Sequence, residues 1–147
     1  MSTPATEAGT RAADDLLLKV TPPRVPRHLV TRSRLLSGDE GLRDHPVIQV
    51  QAPAGFGKTS LLAQWRREHL AHGVVVAWLL AQRQDSPQRL VQALALAVRV
   101  GAGRPSFGHT LLDASGATGL EGITAWLAEV AQSALDVVLF VDEAERL

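Results

Sequence analysis

Residues 47–60 read VIQVQAPAGFGKTS and pass from a short apolar run through a glycine-containing loop into a helical pattern. This order is typical of a phosphate-binding loop between a strand and a helix. Gly55 and Gly57 allow successive backbone N–H groups to turn inward towards anionic oxygens, because no Cβ stands in the way. The helix that begins at Lys58 adds the positive end of its dipole to the same place. We therefore predict a phosphate-binding loop here.

The predicted site takes its ligands from this loop and from the first residues of the helix. Lys58 would reach the β- and γ-phosphates of a nucleoside triphosphate as a point charge, and the Thr59 hydroxyl would bind Mg²⁺. Ala52 stands where the common pattern has glycine, and we expect this small residue to be tolerated. A glycine-rich turn that ends in Lys-Thr by chance is the alternative interpretation. The other nucleotide-binding candidates are Ala54, Gly55, Phe56, Gly57 and Ser60.

The composition indicates a neutral globular domain. The 147 residues carry 15 Lys and Arg against 15 Asp and Glu, so the charge balance does not favour a nucleic-acid or membrane surface. Cysteine is absent, which excludes disulfides and thiolate metal sites. The N-terminus lacks a signal-peptide pattern, and the longest apolar run, Val74 to Ala81, is too short to cross a bilayer. We expect a soluble cytoplasmic chain that does not act at a membrane.

The first part of the chain lacks the periodicity of regular structure. We expect residues 1–18 to be a disordered start, because their first fourteen positions are rich in Ala, Thr, Ser and acidic residues. We expect residues 19–46 to be an extended arm, because Pro22, Pro23 and Pro26 interrupt a helix. The arm carries several arginines, which form either a solvated face or contacts to a nucleotide.

Residues 47–147 form the predicted core, in which strand and helix patterns alternate. The predicted elements are a strand at 47–52, a helix at 58–70, a strand at 74–80, a helix that starts after Ser86 and ends at Gly101, a helix from Gly119 and a strand at 136–143. Residues 101–118 are predicted to be a long loop. The positions of the last helix that we expect to face inward are Leu120, Ile123, Trp126, Leu127 and Val130. This order predicts an α/β fold with a parallel sheet, the three-layer α/β/α arrangement of P-loop NTPases.

Two carboxylates end the last predicted strand. Because ligands of parallel sheets bind at the carboxyl ends of the strands, we expect Asp142 and Glu143 to face the same crevice as the loop. Asp142 would hold Mg²⁺ opposite Thr59. Glu143 would orient the water that attacks the γ-phosphate, or accept its proton. Glu143 and Lys58 are thus the catalytic candidates.

Four blocks of this sequence resemble the N-terminal ATPase region of MalT-like LuxR-type transcription regulators, which belong to the signal-transduction (STAND) ATPases. The blocks lie within residues 19–147 and read TPPRVPRHLVTRSRLL, VQAPAGFGKTSLLAQW, VAWLLAQRQDSPQRLVQAL and VVLFVDEAERL. The resemblance implies a switch that binds ATP or ADP with Mg²⁺, self-associates in the full-length protein, and binds DNA only through a C-terminal region that these residues do not include. It also implies that Val30 and Arg32 line the adenine pocket.

The sequence departs from that family in two places. Ala81-Gln82 stands where the family often has Asp, and Asp142-Glu143-Ala144-Glu145 stands where it often has Asp-Asp followed by an aromatic residue and His. The residues also end before the sensor strand that ATPases of this class insert between the first and third strands. We therefore expect a fragment with an incomplete sheet and exposed apolar surface. The alternatives to an ATP-binding switch, with or without weak ATPase activity, are a small P-loop kinase or another NTP-hydrolysing enzyme, and a truncated inactive chain.

Overall fold

The computed structural model describes residues 13–25, 27–35, 45–112 and 120–147, and in these ranges the protein is a mixed α/β structure built on a two-stranded parallel sheet. Residues 13–19 are helical. The further elements are a 3₁₀ turn at Ser33–Leu35, α1 at Lys58–Ala71, β1 at Val75–Leu80, α2 at Pro87–Ala102, α3 at His109–Leu112, α4 at Leu120–Gln132, β2 at Val137–Asp142 and a 3₁₀ turn at Ala144–Arg146.

The sheet is formed by the two apolar runs that the sequence predicts to be strands. β1 and β2 are parallel, in a register that places Val75 opposite Val137 and Leu80 opposite Asp142. β1 is buried on both faces, as a continuous apolar run in a parallel sheet requires. Because the two strands end together, the Ala81 N–H donates a 3.0 Å hydrogen bond to the backbone oxygen of Asp142.

The predicted strand at 47–52 is wrong. No strand is formed at these positions, and Val47 and Ile48 are 82% and 40% exposed. A strand exists only with a hydrogen-bonded neighbour, and in the described ranges β1 and β2 pair with each other and not with this segment. Leu139 on β2 is also exposed, at 42%.

Helix α1 covers one face of the sheet, and its predicted bounds are confirmed to within one residue. Leu61 and Trp65, four positions apart, are buried in a cluster with Val76, Trp78 and Phe140. The rings of Trp78 and Phe140 stack across the two strands with centroids 5.9 Å apart. This packing fixes the direction of α1, and therefore the position of the loop that precedes it.

Helix α2 packs against β1 on the side of Ala77 and Leu79. Its predicted start is confirmed, because the Ser86 side chain caps the helix by accepting a 3.2 Å hydrogen bond from Arg89 N–H, and Pro87 is the first helical residue. Ala93, Ala97 and Val98 of α2 are buried in one cluster with residues of β1. Small alanines allow the helix to approach the strand closely.

The predicted end of α2 at Gly101 is wrong, since the helix continues to Ala102 and ends at Gly103, whose φ of 62° is left-handed. Gly101 has another role. A Cβ at this position would lie 2.3 Å from the backbone oxygen of Val76, so glycine is required where the helix crosses β1.

The predicted loop at 101–118 contains the short helix α3, with Phe107 and Leu111 buried. These two apolar residues, four apart, anchor the segment against the core, and residues 113–119 lie outside the described ranges. The Gly108 N–H donates a 2.9 Å hydrogen bond to Glu129 Oε2 of α4. Packing of the two apolar residues therefore overrides the local loop pattern.

The predicted inward face of α4 is partly wrong. Trp126 is buried and Ile123 and Val130 are partly buried, but Leu120 and Leu127 are 79% and 53% exposed. Successive helical residues lie about 100° apart, so a face centred on Trp126 turns its immediate successor towards solvent.

The expectation of a disordered start fails at residues 13–18, which are helical, and residues 1–12 lie outside the described ranges. Lys19 and Val20, which follow, are 1% and 2% exposed. Lys19 forms an ion pair with Asp85, beyond the end of β1. Residues 22–25 have no regular structure, as their prolines predict.

In the described part of the chain, none of the helices combines the length and apolar character that a membrane span requires.

Candidate phosphate and metal site

The loop before α1 turns through two left-handed glycines. Gly55 has φ 81° and Gly57 has φ 79°, values that side-chain-bearing L-residues rarely adopt. Gly57 is the N-cap of α1 and has no side chain with which to cap it. The first intrahelical bond runs from Leu61 N–H to Gly57 O. The N–H groups of Lys58, Thr59 and Ser60 therefore have no acceptor within the helix and are suited to an anion.

The Lys58 side chain folds back across this loop. Its Nζ donates a 2.9 Å hydrogen bond to the backbone oxygen of Ala52, where the loop begins. The ammonium group thus lies within the loop rather than in solvent around α1. A phosphate oxygen is a stronger acceptor than a neutral carbonyl, so a bound anion could take over this donor.

Thr59 and Asp142 meet although they come from distant parts of the chain. The Thr59 hydroxyl donates a 2.8 Å hydrogen bond to Asp142 Oδ2, and Asp142 is 6% exposed. The second carboxylate oxygen, Oδ1, accepts from the Glu143 N–H at 3.1 Å. Hydroxyl and carboxylate oxygens are the hard ligands that Mg²⁺ prefers, so the residues present fit this ion. Their role as metal ligands stays a prediction.

Glu143 follows β2 in a left-handed conformation, with φ 56°. Its carboxylate forms an ion pair with Arg146, one turn further on. The Glu143 carboxylate is thus held by a neighbouring cation. Its role as a base stays a prediction.

The arm lies against the loop and α1. Arg32 Nη2 donates a 2.9 Å hydrogen bond to the backbone oxygen of Phe56, so the guanidinium group is at the loop. The Val30 backbone oxygen accepts a 2.7 Å hydrogen bond from Gln64, while the Val30 side chain is 78% exposed. Of the two arm residues that the resemblance assigns to the nucleotide, Arg32 contacts the loop and Val30 contacts α1, and their role in nucleotide binding stays a prediction. Ala54 and Phe56 are exposed on the loop.

Sequence reasoning missed the contacts by which Gln64 and Trp65 hold the arm in place. Gln64 is 8% exposed, and Trp65 Nε1 donates to the backbone oxygen of Leu35. The sequence did contain a signal for this contact, because Gln64 is a polar residue that lies between the apolar residues Ala63 and Trp65 of α1. Such a residue needs a buried hydrogen-bond partner.

Sequence reasoning also missed the ion pair that follows β1. The pKa of Asp85 is below its ordinary value. Burial of the carboxyl raises this pKa, but the hydrogen bonds from Lys19 and from the Gln82 N–H, together with the charges of Lys19 and Arg89, outweigh that effect. Asp85 is therefore an ionised structural residue near the end of the sheet to which Asp142 belongs.

The fold and this geometry define a mixed α/β protein with a glycine loop, a lysine and a Thr–Asp pair at one edge of the sheet. The chain is 33% identical over 132 residues to serine/threonine-protein kinase PknK of Mycobacterium tuberculosis, a match that covers 85% of this chain and 12% of that protein. It is 31% identical over 77 residues to the HTH-type transcriptional regulator MalT of Cronobacter sakazakii, covering 52% of this chain and 8% of that protein. MalT of Yersinia enterocolitica is 31% identical over 78 residues.

The chain is thus distantly similar to PknK and MalT over much of its length. It spans about an eighth or less of the length of these relatives. No protein-family model matches it, and no solved structure does.

Proposed function

We propose that this chain is the ATP-binding module of a larger regulatory protein, and that it has a P-loop fold. The observation that carries the proposal is the contact between Thr59 and Asp142. It joins the residue after the loop lysine to the buried acid at the end of β2. In P-loop proteins these two positions hold the Mg²⁺ that accompanies the nucleotide.

The comparisons support a regulatory module rather than a catalytic domain specific to one relative. The similarities to PknK and to MalT cover 85% and 52% of this chain, so they overlap. One relative is named a protein kinase and the other a transcriptional regulator. A component similar to parts of both proteins is more readily explained as a shared switch than as the kinase or the DNA-binding part.

In the proposed complex, each group of the site has one task. The loop N–H groups and Lys58 bind the phosphates of ATP or ADP, and Thr59 and Asp142 bind Mg²⁺, which neutralises phosphate charge when bound. Glu143 orients a water for slow hydrolysis, after release from Arg146. Hydrolysis then resets a switch in which self-association of the full-length protein depends on the nucleotide. DNA contact belongs to a region outside these residues, and we place the protein in the cytoplasm.

The experiment that tests this proposal is a titration of the purified chain with ATP and Mg²⁺, in the wild type and in Lys58→Ala. One charge-assisted hydrogen bond is worth about 1.5–3 kcal/mol, so the affinity should fall about 10- to 100-fold. Arg67→Ala is the matched control, because it removes an exposed cation from the same helix. A Lys58→Ala protein that binds ATP as tightly as the wild type would disprove the proposal.

A further inference from the structure

Glu143, the candidate base, is held by a residue of its own turn. Its carboxylate forms an ion pair with the guanidinium group of Arg146, three positions further on. The Arg146 N–H also donates a 2.9 Å hydrogen bond to the backbone oxygen of Glu143. The backbone and the side chain of Arg146 thus both contact the same glutamate, directly after β2 has ended at Asp142.

The backbone conformation of Glu143 brings these two residues together. Its φ of 56° is left-handed, which is unfavourable for a residue with a Cβ and persists only where surrounding contacts hold it. The Glu143 N–H donates a 3.1 Å hydrogen bond to Asp142 Oδ1, and the 3₁₀ turn at Ala144–Arg146 follows at once. The chain therefore bends at Glu143, and this bend begins the turn that places Arg146 on the Glu143 carboxylate.

The ion pair engages the group that the proposed hydrolysis needs. In that reaction the oxygen of a water forms a bond to the γ-phosphorus of ATP, the bond from this phosphorus to the β–γ bridging oxygen breaks, and ADP and inorganic phosphate are released. The proton that the water loses goes to the Glu143 carboxylate. A guanidinium group on this carboxylate competes with the water for its lone pairs.

The pair is partly exposed, which limits its strength. The side chains of Arg146 and Glu143 are 46% and 36% exposed. An ion pair in contact with solvent is weak and is screened by salt. The carboxylate is therefore free of Arg146 for part of the time, so the pair slows hydrolysis without preventing it.

We propose that Arg146 is a positioning residue that holds Glu143 away from the attacking water and so lengthens the lifetime of the ATP-bound state. The rate of hydrolysis then depends on how often the ion pair opens. This inference rests on the proposed ATP site and adds a regulation of that site, because it sets how long the switch stays in its ATP-bound form.

The test measures kcat and KM for phosphate release from ATP and Mg²⁺ by the purified chain. Arg146→Gln removes the charge and keeps much of the side chain. We expect kcat to rise about three- to fivefold, equivalent to about 1 kcal/mol or less, while KM stays within about twofold of the wild-type value. Arg146→Lys, which keeps a cation, should remain close to the wild type. Arg104→Gln is the matched control, since it removes an exposed arginine beyond the end of α2.

Two further measurements assign the effect to the ion pair. The ratio of kcat in Arg146→Gln to kcat in the wild type should fall towards one as NaCl is raised from about 0.05 M to about 0.5 M, because salt opens the wild-type pair. In a Glu143→Gln background, Arg146→Gln should not change kcat, because the base is already absent.

Either of two results would overturn the inference. If Arg146→Gln hydrolyses ATP no faster than the wild type, including the case in which both bind ATP and hydrolyse none, the pair does not limit turnover. If the same gain appears in the Glu143→Gln background, Arg146 acts through a group other than Glu143. Failure of the underlying ATP site gives a different result, since the wild type and Arg146→Gln would then both fail to bind ATP.

Discussion

The Thr59 hydroxyl donates a hydrogen bond to Asp142 Oδ2 at 2.8 Å, across 83 positions of the chain. This bond connects the first turn of α1 to the last residue of β2. The loop is thereby joined to the end of the sheet, although the segment that precedes the loop is not a strand of that sheet. The contact depends on packing of α1 against Phe140 and Trp78, which sets the distance between the helix and the strand ends.

Thr59→Val tests whether this pair binds Mg²⁺. Valine has nearly the shape of threonine but no hydroxyl, so one oxygen ligand is lost. In the wild type we expect ATP to bind more tightly with excess Mg²⁺ than with EDTA, and in Thr59→Val this ratio should approach one. Thr59→Ser, which keeps the hydroxyl, should retain most of the ratio. An unchanged ratio in the valine variant would exclude Thr59 as a metal ligand.

Glu143→Gln tests the proposed role in hydrolysis. The amide cannot accept a proton, so phosphate release should slow by about 10²- to 10⁴-fold, the usual contribution of a general base, with little change in ATP affinity. Glu145→Gln is the control, because Glu145 is an exposed acid two residues away. Equal hydrolysis in the two variants would argue against Glu143 as the base.

The same assay separates a switch from the alternative of a small kinase. If phosphate appears on an added hydroxyl acceptor faster than it is released to water, the loop serves phosphoryl transfer. We expect release to water alone, at a low rate.

The local backbone of the glycine loop was more predictable from the sequence than the sheet was. Gly55, Gly57, Lys58 and Thr59 are adjacent, and the left-handed glycines follow from the backbone that such a loop needs. Helix α1, strand β1 and the Ser86 cap are likewise local patterns. The absence of a strand at 47–52 was not predictable from these residues, since pairing with a neighbour decides whether a strand forms.

Long-range contacts account for the remaining errors. A glycine at position 101 is typical of the end of a helix. The structure shows instead that Gly101 lies within α2, where the backbone of Val76 leaves no room for a side chain. Gln64 pairs with the arm more than thirty positions away, and Lys19 pairs with Asp85 at a separation of 66 positions. No periodicity connects such residues, so the sequence alone does not pair them.

Gly101→Ala tests the close contact between α2 and β1. At an ordinary interior position of a helix, alanine is about 1 kcal/mol more favourable than glycine. Here the added Cβ would meet the Val76 oxygen at 2.3 Å, so we expect the opposite sign, a loss of about 1–3 kcal/mol in the free energy of unfolding. Urea denaturation followed by circular dichroism measures this free energy. A more stable variant would show that the helix can move away from β1 without cost.

Lys19→Met tests the buried ion pair that ties the N-terminal helical segment to the loop after β1. The side chains of Lys19 and Asp85 are 1% and 2% exposed. Removing one partner leaves an uncompensated buried charge, which costs about 3–5 kcal/mol. Arg89 lies 3.5 Å from Asp85 Oδ1 and also pairs with Asp15, so it should reduce this loss. Replacing both partners, as in Lys19→Met with Asp85→Leu, should cost less than the two single changes added together.

The ion pair also predicts how stability depends on pH. The pKa of Asp85 in the folded protein is below its ordinary value of 3.8, because the contacts with Lys19 and Gln82 outweigh the effect of burial. The folded state therefore releases this proton more readily than the unfolded state. The resulting stabilisation is complete above the unfolded pKa and is lost as the pH falls through the folded pKa.

Urea denaturation from about pH 5 to about pH 3 tests this dependence. The free energy of unfolding should fall less with decreasing pH in Asp85→Asn than in the wild type. Asp14→Asn, which changes an exposed carboxylate on the same helical segment, should follow the wild-type curve. Parallel curves for Asp85→Asn and the wild type would mean that Asp85 has the same pKa in both states and that the pair does not couple protonation to folding.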